Sequence, residues 1–200
     1  LLMAGTMSVC ISGGDVWAEN TVKLTSDTVY NVIGEIPASI EMNGHNIISN
    51  VMLNADNAGL SIIGTDMENL TINGEGLQFA VAAQSSSNAK VLISNVKKVD
   101  ITGNVTNDSL LHSNINGAII FDKVGLFNIT TEKSIGLHAQ GGLIYIDADA
   151  VSIKSKDENA IWAQLSNCSG DYPSDVKIKS SGDITLQSTS STAVGAANMD

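Results

Sequence analysis

The segment KVLISNVKKVDITGN, Lys90 to Asn104, carries two apolar pairs, Val91/Ile93 and Val99/Ile101, with six positions from the end of one to the start of the next. The pattern recurs. Ile119/Phe121 leads to Phe127/Ile129 and Val176/Ile178 leads to Ile184/Leu186 at the same spacing. Ile144/Ile146 leads to Val151/Ile153 one residue tighter, and Leu60/Ile62 leads more loosely to Leu70/Ile72. Apolar residues two apart place both side chains on one face of a strand. The gaps are rich in Gly, Asn, Asp and Ser, which favour turns. Each unit therefore reads as a short strand, a bend and a second short strand.

A third element, rich in small residues, follows each pair: GLQFAVAAQ, SLLHSN, SIGLHAQ, NAIWAQ and TAVGAA. Measured from the first apolar residue, the units are 28 residues from Val91 to Ile119, 25 from Ile119 to Ile144 and 32 from Ile144 to Val176. Three short strands repeating at such a period are the signature of a β-solenoid. A single coil cannot bury its inward side chains, whereas coils stacked about 4.8 Å apart pair every strand with its counterparts and align like residues into a column. A β-sandwich also uses many short strands, but it imposes no constant signature from repeat to repeat. No long window carries a helical period. The expected fold is all-β: a right-handed parallel β-helix with about three short strands per coil.

The two ends of the described pattern differ in character. LLMAGTMSVCI is a short apolar run, broken by SGGD and followed by VWA before Glu19. This is the texture of a signal-peptide core and its small-residue cleavage site, and it is shorter than the roughly 20 apolar residues of a membrane span. Residues 1–18 are thus expected to be the remnant of a signal, cut between Ala18 and Glu19. Residues 19–50 are expected to supply an N-terminal cap and the first coils, and 51–200 the β-helix proper, incomplete at its C-terminal side. Removal of the signal takes Cys10 with it and leaves Cys168 alone, so packing rather than disulfides must hold the mature fold. Five Asn-X-Ser/Thr sequons, at Asn69, Asn104, Asn107, Asn128 and Asn167, are what chance supplies in a chain so rich in these residues.

These features resemble the N-terminal part of a bacterial autotransporter passenger with a pectin-lyase-like right-handed β-helix. The resemblance rests on the export signal ending VWAEN, the segment IEMNGHNIIS from Ile40 to Ser49, and the degenerate coils after Leu60. It implies an exported protein at the bacterial cell surface, outer membrane or extracellular space, with an outer-membrane translocator barrel outside this sequence. It also implies an adhesin or structural stalk that meets a glycan or protein on a host or neighbouring cell. Two alternatives share the architecture. One is a polysaccharide-degrading lyase or glycosidase whose groove lies outside these residues, and the other is a secreted solenoid without a membrane anchor.

Composition narrows the chemistry. Ten lysines, no arginine and 21 acidic residues give a net charge of -11, which repels phosphate backbones and argues against nucleic-acid binding. β-Helix lyases resemble one another in using a basic residue, commonly arginine, beside a bound calcium ion, and this chain has no arginine to offer. Hydrolysis needs two carboxylates across a groove. Asp147 and Asp149 in YIDADAV share a strand face with Tyr145, but alternation with Ile144 and Ile146 turns that face outward, so the pair reads as structural surface charge. His45, His112 and His138 remain. His112 and His138 fall at similar places in successive coils and could stack, but neither a third ligand nor an orienting carboxylate is evident. No catalytic residue, cofactor or metal ligand is therefore assigned. The insertion LSNCSGDYPSD, Leu165 to Asp175, lengthens its coil, and its Asn167, Asp171 and Tyr172 form a candidate surface-binding loop.

Overall fold

The computed structural model of the chain describes residues 21–55, 59–84, 89–164 and 174–197. The signal remnant with Ala18 and Glu19, and the insertion residues Asn167, Asp171 and Tyr172, lie outside the described residues. Within the described residues the regular structure is all strand, and no helix is long and apolar enough to cross a membrane.

The chain runs in rungs. The first holds β1 (Thr21–Lys23) and β2 (Thr28–Tyr30). The second holds β3 (Ser39–Glu41), β4 (Ile47–Ser49) and β5 (Leu53–Asn54), and the third holds β6 (Leu60–Ile63), β7 (Asn69–Asn73) and β8 (Val81–Ala83). Next come β9 (Lys90–Thr102) with β10 (Ser109–Asn114), β11 (Ala118–Thr131) with β12 (Ile135–Gln140), and β13 (Leu143–Ser155) with β14 (Ile161–Gln164). The last described rung holds β15 (Asp175–Ser180), β16 (Ile184–Ser188) and β17 (Val194–Ala197).

Each strand pairs in parallel with its counterpart in the adjacent rung. One path of pairing runs β1-β3-β6-β9-β11-β13-β15 and another runs β5-β8-β10-β12-β14-β17. Between them, β2, β4, β7 and β16 pair with one another or with the second halves of β9 and β13. Consecutive elements stacked on their own repeats in three ladders make a parallel β-solenoid, the class the repeat predicts. In the middle rungs the expected strand, bend and strand form one bent ladder of 13 or 14 residues rather than two separate strands.

The apolar pairs become columns. Ile40, Ile62, Ile93, Phe121, Ile146 and Ile178 are register partners in the first ladder. Leu70, Val99, Phe127, Val151 and Ile184 align in the second. Leu53, Val81, Leu111, Leu137, Ile161 and Val194 align in the third. Interior members such as Ile93, Phe121 and Phe127 are fully buried, each contributing about 1.5–3 kcal/mol of transfer free energy. The third ladder passes close to its neighbours, which explains its small residues: a Cβ on Gly136 would lie 2.5 Å from the Ala160 carbonyl oxygen.

The bend between the first two ladders has its own chemistry. Asn95 and Lys123 occupy equivalent places between paired residues and both take a positive φ, 54°. β13 lacks this residue, since pairing passes from Phe121/Ile146 to Val124/Ala148 across a register shift. The spacing that is one residue tighter in the sequence is thus a missing bend residue. Polar side chains stack too: Asn69 donates to Asn46, and Asn46 donates to Asp27 one rung further down.

Candidate functional site

The third ladder brings together side chains that the sequence keeps apart. Register pairs Leu111 with Leu137 and, one step on, His112 with His138. Leu111 and Leu137 belong to the apolar core, so strand alternation directs the two histidines to the opposite face of the ladder. There the rings meet edge to face, with centroids 5.1 Å apart and planes at 87°. Phe79 stacks on the His112 ring at 4.5 Å. Both imidazoles are buried, with side chains 7% and 5% exposed.

Asp108, just before β10, completes the cluster. Its backbone carbonyl accepts the Ile135 N–H at 2.7 Å, which fixes it between the two rungs. Its Oδ2 lies 2.6 Å from His138 Nδ1, and its Oδ1 lies 3.6 Å from His112 Nδ1. Ser109 Oγ donates to Asp108 Oδ1 at 2.9 Å and sits 3.4 Å from His112 Nδ1. Burial by itself raises the Asp108 carboxyl pKa. The nearby His112 ring, the hydrogen bond with His138, the His138 charge and the Ser109 hydroxyl outweigh that effect and hold it far below the ordinary carboxylate range. His138 Nε2, by contrast, is buried and has no hydrogen-bond partner.

Asp108 supplies both things the sequence withheld: a third potential ligand and a carboxylate that orients a ring. Nothing in the spacing of one Asp and two His flags it, because the contact with His138 spans 30 residues. The usable signal is the repeat itself, which lines up SLLHSN with GLHAQ. Chemically, a carboxylate and two imidazoles within reach of one another can share a proton or hold a cation. General acid–base work needs a nitrogen that a substrate can approach, and the free Nε2 is enclosed.

Asp147 alternates with buried Ile146 and Ala148 along β13, and Asp149 is exposed beyond them. Lys179 Nζ lies 2.6 Å from Asp147 Oδ2, the Tyr145 hydroxyl donates to the same oxygen at 3.4 Å, and Ser181 Oγ donates to Asp149 at 3.0 Å. Lys177 pairs with Asp175 on its own strand at 3.2 Å. Ser174 Oγ donates to the Gln164 carbonyl and accepts the Gly141 N–H, so the described residues on either side of the insertion are tied together. His45 is separate from the other histidines and lies 3.8 Å from Asp27. The sequon residues Asn69, Asn104 and Asn128 all engage residues of neighbouring rungs.

The fold and these contacts define a parallel β-solenoid whose third ladder carries two buried histidines against a half-exposed aspartate. No protein-family model, curated protein or solved structure matches the chain.

Proposed function

We propose that this chain is the solenoid portion of an exported passenger-type protein, acting at a bacterial cell surface as a stalk or adhesin without catalysis. The observation that supports this reading most is the use made of the sequence. The described chain is spent on stacked rungs with apolar columns inside, while its lysines and nearly all its carboxylates lie outside the core. A solenoid of this kind extends by adding rungs and presents its loops along its length. Its carboxylates at Asp147 and Asp149 are held by Lys179, Tyr145 and Ser181, an arrangement suited to a solvated face. Export rests on the N-terminal run ending at Ala18. Attachment rests on a translocator barrel encoded beyond Asp200, and the partner is a glycan or protein on a host or neighbouring cell.

The test has two arms. The gene downstream of Asp200 should encode further coils and then alternating strands of roughly ten residues typical of an outer-membrane barrel. Beads coated with the purified chain should adhere to cell surfaces more than beads coated with an unrelated acidic protein. Release of reducing ends from polysaccharide by the purified chain, or coils ending without a barrel and no adhesion, overturns the reading.

A further inference from the structure

We propose that Asp108, His112 and His138 form a binding site for a divalent cation of the zinc class, each residue giving one ligand atom. The inference stands apart from the adhesive reading and holds or fails independently of it.

The geometry carries it. One ligand atom from each of the three side chains lies within 4.8 Å of the others. A tetrahedral zinc ion with bonds of about 2.0–2.1 Å holds its ligand atoms roughly 3.3 Å apart. The 3.6 Å between His112 Nδ1 and Asp108 Oδ1 is close to that separation, while His138 faces the other oxygen of the same carboxylate, so binding requires Asp108 to turn until one oxygen serves both rings. The 2.6 Å between His138 Nδ1 and Asp108 Oδ2 is the distance of a shared proton, and the ion takes that proton's place as the pair opens by less than about 1 Å. Three protein ligands leave a fourth position for water. Asp108, its side chain 45% exposed, gives the site its opening to solvent.

Two further observations separate this cluster from a chance meeting. The rings are held rigidly, because they project from directly paired positions of β10 and β12, and a site built on strands is better fixed than one on loops. In addition, His138 is oriented by the side of its ring that faces Asp108, at the expense of Nε2, which is buried and unpaired. Buried polar atoms are normally satisfied, so the ring keeps its contact with Asp108 while Nε2 goes unpaired. The donor set of two imidazoles and one carboxylate selects among cations. Imidazole suits zinc, nickel and copper, whereas calcium and magnesium demand more oxygen ligands.

The experiment titrates zinc chloride into the tag-free, chelator-stripped chain by calorimetry, in a Cys10→Ser/Cys168→Ser background that removes thiolate binding. The expected result is saturable one-to-one uptake that excess calcium or magnesium does not displace. Asp108→Asn, His112→Gln and His138→Gln should each weaken uptake by about 10-fold or more, while His45→Gln leaves it unchanged. Should a histidine variant lose the β signal in far-ultraviolet circular dichroism, Asp108→Asn decides, since that side chain is half exposed. Absence of uptake, uptake indifferent to Asp108→Asn, or equal competition by calcium overturns the proposal.

Discussion

Glu68 Oε1 accepts a hydrogen bond from the backbone nitrogen of Gly44 at 2.7 Å, joining two rungs through residues 24 positions apart. The same carboxylate takes Thr65 Oγ1 at 2.8 Å, Thr65 N at 2.7 Å and Met67 N at 3.1 Å. Glu68 is 1% exposed, and burial alone would push its carboxyl up. The Thr65, Gly44 and Met67 donors outweigh that and bring it down to about 2, from an ordinary 4.5.

Because the folded-state value lies below the unfolded one, the ionised Glu68 contributes its full stabilisation above about pH 4.5 and loses it as pH falls towards 2. The contribution is about 3 kcal/mol. Glu68→Gln brings an NH₂ group against backbone donors and should lower the urea midpoint at pH 7. The variant and the parent should converge at pH 2–3. Parallel pH profiles of the two proteins are the result that sinks this account.

Phe121 and Phe127 pack edge to face, with ring centroids 4.7 Å apart, at the interior of the bend. Either residue changed to Ala should cost about 3–5 kcal/mol, because a rigid stack of rungs closes poorly around a cavity. A double-mutant cycle should recover a coupling of about 0.5–1.5 kcal/mol. Strict additivity in urea unfolding contradicts the contact.

Lys123 holds a φ of 54° where Asn95 holds the same angle one rung earlier. Asn tolerates this left-handed conformation better than Lys. Lys123→Asn should therefore raise stability, by about 1 kcal/mol or less, with the fold unchanged. A lower melting temperature for the variant counts against a backbone origin.

Asp147 and Lys179 meet at 2.6 Å on the solvent face, with 71% of the lysine side chain exposed. Exposed pairs contribute little, because solvent screens them and both side chains lose freedom. Asp147→Ala with Asp149→Ala should leave the urea midpoint at its parental value in low and high salt alike. A marked loss confined to low salt would reassign the pair to a stabilising network.

Val91/Ile93 and Val99/Ile101 were enough to announce the ladders, because the two-residue period of a strand and the width of its bend are backbone properties written directly into the spacing of apolar side chains. The inward column from Ile62 to Ile178 and the missing bend residue of β13 were legible in this way. The continuity of β9, β11 and β13 was not, since a bend that keeps its ladder hydrogen bonds looks like any polar gap.

The sequence by itself determined that this chain stacks parallel strands around columns of Ile, Val, Leu and Phe, because a coil of this pattern can bury its apolar face only against its own repeats. The repeat aligned His112 with His138, but only the tertiary structure decided which polar side chains outside the aligned strands meet. The units are unequal in length, at 28, 25 and 32 residues, so the inter-rung neighbours of residues that precede or follow a strand cannot be found by counting. Asp108 reaches His138, and Glu68 reaches Gly44, because backbone pairing between rungs sets the register there, and that register is a property of the folded stack.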